Sequence, residues 1–142
     1  MPNITQARDD ILTRFRTEWL ADGISAPVKL VFDDFEDDLP SSTSPWTRIT
    51  VRHATGGQIS LSNEAGKRRY DRKGTVFVQI FTPFGDGLTL SDSLAIIAAR
   101  AFEGKETPLH VWFRDVRFVE VGRDGHWYNV NVLAAFEYDE VK

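Results

Sequence analysis

Residues 74–82 read GTVFVQIFT, and this stretch decides the fold. Val76, Val78 and Ile80 alternate with Phe77, Gln79 and Phe81, which is the two-residue period of a β-strand. Both sets are mostly apolar, so we expect the strongest strand of the chain, with both of its faces covered. The segment PFGDG at 83–87 follows and breaks the strand with two glycines.

Two amphipathic helices are predicted, one on each side of this strand in the sequence. Residues 4–21 begin at a cap formed by Asn3 or Thr5 and end near Gly23. Residues 90–102 have Thr89 or Ser91 as the cap and end at Gly104. Each helix has one apolar stripe at helical spacing. The first stripe contains Ile4, Ala7, Ile11, Leu12, Phe15 and Trp19, and the second contains Leu90, Leu94, Ile97, Ala98, Ala101 and Phe102.

Further alternating segments predict the rest of a sheet. We expect strands at 28–32, 46–54, 109–121 and 127–138, with a short additional strand through Ile59 and Leu61. The last two long strands are joined by GRDG, which is typical of a hairpin. The sequence therefore predicts a single α+β domain over residues 1–142. Its central sheet is mostly antiparallel or mixed, and both helices pack on one face.

Composition excludes several classes of protein. The chain has 142 residues, 42% of them hydrophobic and 27% charged, which is typical of one globular domain. It contains no cysteine, so disulfides, thiol catalysis and cysteine-ligated metals are excluded. The net charge of −4 is unlike that of a general nucleic-acid binder. No apolar run is long enough to span a membrane and residues 1–10 lack a signal-peptide core, so we expect an intracellular protein without a membrane partner.

No motif in the sequence predicts catalysis. His53, His110 and His126 do not occur at metal-ligand spacing, and neither a phosphate-binding GxxxxGK[ST] loop nor a GxSxG nucleophile elbow is present. Gly85 and Gly87 are better explained by a turn than by an anion site. We therefore expect no enzyme, no catalytic or metal site and no cofactor.

A basic segment, KRRYDRK at 67–73, precedes the strand at 74–82 and is predicted to be a loop. Its cations are suited to phosphate and its tyrosine to stacking on a base. Arginine and tyrosine are also enriched at protein interfaces, and a plain solvated loop is the third alternative. The acidic chain favours a protein interface over nucleic acid. The candidate contact residues are Arg68, Arg69, Tyr70 and Arg72.

An acidic segment, DDFEDD, occupies 33–38 and contains five carboxylates. It lacks the glycine and the spaced glutamate of an EF-hand loop, so calcium binding is not predicted. In a ring of identical subunits every interface is head-to-tail and joins two different patches. One hypothesis is therefore that this segment on one copy faces the basic segment on the next copy. The alternative is that the two segments pair within one chain or do not pair at all. Its candidate contact residues are Asp34, Glu36, Asp37 and Asp38.

The features after residue 65 resemble a known family. The basic segment enters a strand that ends in Pro and Gly, a helix ends in AARAFEG at 98–104, and VWFRDVRFVEVGRDGHWYNVNVLAAFEYDE follows at 111–140. This order is similar to that of the small tail-terminator, or tail-completion, proteins (minor tail protein U-like) of long-tailed bacteriophages, prophages and gene-transfer agents. The similarity covers most of the chain and is clearest from Arg68 to Asp139.

The resemblance implies a structural virion protein without catalysis or cofactor. Family members form a homohexameric ring on the finished tail tube, end its polymerisation and present a surface for head joining. The implied partners are other copies of the chain, the major tail tube protein and a neck or connector protein, with DNA only in transit through the lumen. The implied location is the tail–neck junction of the virion, after assembly in the bacterial cytoplasm. A head–tail connector of the same particle and a small nucleic-acid-binding module are the alternatives.

Overall fold

The computed structural model describes residues 2–32, 44–58, 64–85 and 87–142. Within them the elements, in chain order, are helix α1 (Ile4–Ala21), strands β1 (Lys29–Phe32), β2 (Trp46–Gln58) and β3 (Arg69–Pro83), helix α2 (Thr89–Phe102), and strands β4 (Trp112–Asp124) and β5 (Trp127–Val141). The predicted acidic segment at 33–38 and the predicted short strand through positions 59 and 61 lie outside the described residues.

The strands form one mixed sheet. Across the described residues the strand order is β1-β2-β3-β5-β4. The pair β1–β2 is parallel, whereas β2–β3, β3–β5 and β4–β5 are antiparallel. The central position of β3 follows from its apolar sequence, because a strand with neighbours on both sides is shielded most. The predicted α+β class and the mixed sheet are confirmed.

Both helices pack on the same face of this sheet, as predicted. Helix α1 buries Ala7, Ile11, Phe15 and Trp19, which recur at helical spacing. The rings of Phe15 and Phe102 stack at 5.7 Å and join the two helices. Together they cover the inward side chains of the sheet, among them Val76, Val78, Ile80, Val130, Val132, Ala134 and Phe136.

The opposite face of β3 differs from the prediction. Phe77 and Gln79 are only half-buried, and both helices lie on the other side of the sheet. Phe81, on the same face as these two, is buried against Trp46 and Val31. The expectation that both faces of β3 are covered therefore holds at Phe81 and is wrong at Phe77 and Gln79. An apolar residue in a strand predicts that its side chain is buried, but it does not predict what fraction of that side chain is covered.

The helix caps match the sequence at one helix more closely than at the other. Asn3 caps α1 in a reciprocal capping box with Gln6, one of the two predicted alternatives. Helix α2 instead has Leu88 at its cap position, without a side-chain cap. The hydroxyl of Ser91 donates to the Leu88 carbonyl, so it does not cap the backbone N–H groups as predicted. Gly104 follows α2 with a φ of 64°, in agreement with a glycine stop.

Several strand boundaries also differ from the prediction, among them the starts of β3 and β4. The basic segment is not a loop, because β3 begins at Arg69. Backbone pairing with both neighbours extends it: Tyr70 lies opposite Gln58 of β2 and Glu140 of β5. Strand β4 begins later than predicted, at Trp112. His110 has a φ of 65°, and its N–H donates to the Thr107 carbonyl in a turn.

Candidate interaction surface

The candidate basic residues lie in a three-stranded extension of the sheet, formed by residues 56–58, 69–72 and 138–141. Arg69 pairs with Val141, and Arg72 pairs with Tyr138 on one side and Gly56 on the other. Arg68 precedes the strand and is held at the chain terminus, since its Nε donates to the Lys142 carbonyl 3.2 Å away. The backbone therefore places Arg69, Tyr70 and Arg72 on β3, with Arg68 immediately before it.

One face of this extension carries Tyr70 and Arg72. The Nε of Arg72 lies 3.0 Å from Oε2 of Glu140, in an ion pair whose side chains are only 20% and 12% exposed. The guanidinium of Arg72 and the ammonium of Lys142 also lie 5.1 and 5.3 Å from the ring centroid of Tyr70. Cations at this distance are attracted to an aromatic ring. Tyr70 is thus a half-buried aromatic residue between two cations.

The other cations of the segment are exposed and also have carboxylate neighbours. Arg69 lies 3.9 Å from Asp139, Lys73 lies 3.4 Å from Asp71, and Lys67 lies 3.1 Å from Glu64. Each of these distances joins a side-chain nitrogen to a carboxylate oxygen. Exposed ion pairs of this kind contribute little to the stability of the fold, and their side chains readily change partners. The segment therefore has a smaller net positive field than its sequence indicates, which weakens the nucleic-acid alternative.

A buried polar pair lies beside this extension. Nε2 of His53 is 2.7 Å from the hydroxyl of Tyr138, whose side chain is fully buried. Burial lowers the pKa of His53, and the cations Arg8 and Arg72 lower it further. Burial also raises the pKa of Tyr138 to about 12, with Glu140 adding to the effect. Both residues are therefore neutral near pH 7, and their hydrogen bond links β2 to β5.

The arrangement of titratable groups does not form a metal site in the described ranges. Residues 2–32, 44–58, 64–85 and 87–142 contain no cluster of three or more His, Cys, Asp or Glu side chains that could hold an ion. His110 contacts Glu106 at an exposed turn, with 2.8 Å between Nδ1 and Oε1.

A second surface, which the sequence reasoning missed, lies between α2 and β4. The side chains of Ile96 and Phe118 are 59% and 49% exposed and line a groove of about 240 Å³. Val130 lies in this α2–β4 groove, and Asp92 and Glu120 add carboxylates to it. The signal in the sequence was Ile96 itself, an apolar residue outside the predicted stripe of its helix. Ile96 and Phe118 line the same groove, and a contiguous exposed apolar patch, unlike a single exposed residue, can mark a contact surface.

These observations define a small α+β domain with a charged strand extension and a separate apolar groove. No family profile and no curated protein matches this chain. One solved structure is similar over 92% of this chain and 92% of its own, with a TM-score of 0.69 and 18% sequence identity. Its name describes no function, and identity at this level is evidence of a shared fold alone. No helix in the described part of the chain has the length and apolar character needed to cross a membrane.

Proposed function

We propose that this protein is a structural component of a bacteriophage particle that caps the tail tube as a ring. In this role it ends tube polymerisation and provides the surface on which the head and neck are joined. Its partners are further copies of itself in a homohexamer, the major tail tube protein and a neck protein. DNA only passes through the lumen.

The observation that carries the proposal is the presence of two unlike contact surfaces on one small domain. A ring of identical subunits needs two different patches on each copy, one for each neighbour. The basic strand extension and the α2–β4 groove are two such patches. The resemblance of residues 68–139 to tail terminators then supplies the particular role.

The charge distribution favours this role over nucleic-acid binding. Arg69, Arg72 and Lys73 each lie beside a carboxylate of the same chain, and these carboxylates lower the positive potential that would attract phosphates. A net charge of −4 suits a lumen through which DNA slides without being held. Asp34, Glu36, Asp37 and Asp38 lie outside the described residues, so their pairing with the basic segment of a neighbouring copy stays a prediction. It is an alternative to contact of that segment with the α2–β4 groove.

Deletion of the gene in its phage tests the proposal. We expect tails of abnormal length that do not join filled heads in electron micrographs, and the wild-type gene supplied on a plasmid should restore normal particles. Tails of normal length that join heads would exclude the role. Normal tails together with labelled protein on the head side of unjoined heads would instead indicate a connector.

A further inference from the structure

We infer that the α2–β4 groove binds the basic segment at 67–73 of a second copy of this chain. The inference refines the ring contact of the proposed function by naming the two surfaces that meet. Three properties indicate what occupies the groove. They are its charge, its apolar walls and the distance between the groove and the basic segment.

The groove combines apolar walls with two carboxylates that have no cationic neighbour. Asp92 lies in the first turn of α2, and Glu120 lies opposite Val130 in the β4–β5 pair. Within the part of the chain that the structure describes, neither forms an ion pair. A site of this composition fits a long cationic side chain, whose methylenes lie on apolar surface while its charge reaches a carboxylate.

The chain itself carries such side chains in the basic segment. Lys67 and Arg69 are exposed by 68% and 50%, and both are long cations with an apolar stem. Glu64, the neighbour of Lys67, is 65% exposed, and Asp139, the neighbour of Arg69, is 23% exposed. An ion pair with an exposed partner is weak and can be exchanged for a better one.

The two surfaces are too far apart to meet within one molecule. Val130 lines the groove, whereas Arg69 pairs with Val141, the last residue of β5. These positions are eleven residues apart along one strand, which is about 36 Å at the rise of a β-strand. The contact therefore joins two copies, and because the two patches differ it repeats head-to-tail.

The apolar area around the groove indicates a protein partner. Phe118 and Val121 on the edge strand and Ile96 on α2 each expose about half of their side chains. Strand β4 is at one edge of the sheet formed by the described residues. Contiguous apolar surface at a strand edge is a liability that folded proteins generally cover.

Cysteine cross-linking tests the contact without background, because the chain has no native cysteine. Ile96→Cys protein is mixed with Arg69→Cys protein and a short bismaleimide at low salt. We expect a covalent heterodimer to form about tenfold faster than in the matched control, Leu20→Cys with Arg69→Cys. Leu20 is 50% exposed on α1, so its accessibility is similar. Equal rates would overturn the inference, as would equally fast cross-linking of Ile96→Cys protein to itself.

A second variant tests the charge. Glu120→Lys in the Ile96→Cys protein should slow the cross-linking about tenfold, because it places like charges together. Glu103→Lys, at the exposed end of α2, should leave the rate unchanged. An unaffected rate with Glu120→Lys would overturn the charge argument. A deletion phage with abnormal tails, combined with failed cross-linking, would refute this contact while the proposed function stands.

Discussion

Nε2 of His53 and the hydroxyl of Tyr138 lie 2.7 Å apart although their strands, β2 and β5, are not neighbours in the sheet. Strand β3 runs between them, and Gly74 is the residue that pairs with both His53 and Phe136. The ring of Phe136 meets the His53 ring edge-on at 5.2 Å. The contact forms because Gly74 has no side chain to separate these residues.

Gly74→Ala should therefore destabilise the fold. A Cβ atom at this position would lie 2.5 Å from Cζ of Phe136 and would also overlap the Arg52 carbonyl. Such overpacking costs about 1–3 kcal/mol, so we expect a lower midpoint in urea denaturation. Gly57→Ala is the matched control, since a Cβ at Gly57 meets no atom within 4 Å. If both variants unfold at the same urea concentration, the steric explanation for Gly74 is wrong.

Stability should also fall as the pH falls below 6.5, because of His53. The ordinary pKa of histidine is 6.5, and burial lowers the pKa of His53 in the folded protein. As the pH falls, the unfolded chain consequently binds this proton first, and unfolding is favoured. The contribution of neutral His53 is complete above pH 6.5 and is lost below it. The free energy of unfolding, measured on both sides of that pH, checks the direction.

His53→Gln should remove that part of the pH dependence, and the unsubstituted protein measured over the same pH range is the reference. Asp22 does not confuse the measurement. Its pKa is lowered by the N–H of Ile24, so its contribution is lost only below its ordinary value of 3.8. If the His53→Gln protein retains the full pH dependence of the free energy of unfolding, His53 is not its cause.

The elements predicted best were those specified by local sequence. Helix α1 was predicted over the exact residues observed, because its stripe, its Asn3 cap and its boundaries all lie within one continuous segment. The core of β3 was equally plain from Val76, Val78 and Ile80. The resemblance to tail terminators, in contrast, rests on the order of features and stays a prediction.

What the sequence did not predict depends on residues distant along the chain. The basic segment contains few strand-forming residues, and it is extended only because Gln58 and Glu140 provide backbone partners on both sides. The α2–β4 groove likewise combines Ile96 with Phe118, which are 22 positions apart in the numbering. Neither pairing can be deduced from a local pattern, because the pattern does not fix which strands become neighbours.

The ion pair between Arg72 and Glu140 should contribute more to stability than the exposed pair between Lys67 and Glu64. The first pair is largely shielded from water and has 3.0 Å between Nε and Oε2. Glu140→Gln leaves a half-buried guanidinium without its counter-charge, so we expect a loss of about 1–3 kcal/mol. Lys67→Gln removes a solvent-exposed partner and should cost less than about 0.5 kcal/mol. Urea denaturation of both variants in low salt compares them, and equal losses would contradict the difference in burial.

Substitutions at two phenylalanines should affect different properties, one the stability of the fold and the other the association of two copies. Phe102 is fully buried and stacks on Phe15, so Phe102→Ala should lower the free energy of unfolding by about 3–5 kcal/mol through the cavity it leaves. Phe118 is 49% exposed beside the α2–β4 groove, so Phe118→Ala should change that free energy by less than about 1 kcal/mol. The same change should slow cross-linking between Ile96→Cys and Arg69→Cys proteins, because it removes an apolar wall of the groove. A Phe118→Ala protein that is unstable, or one that cross-links at the original rate, would show that Phe118 belongs to the core or to an unused surface.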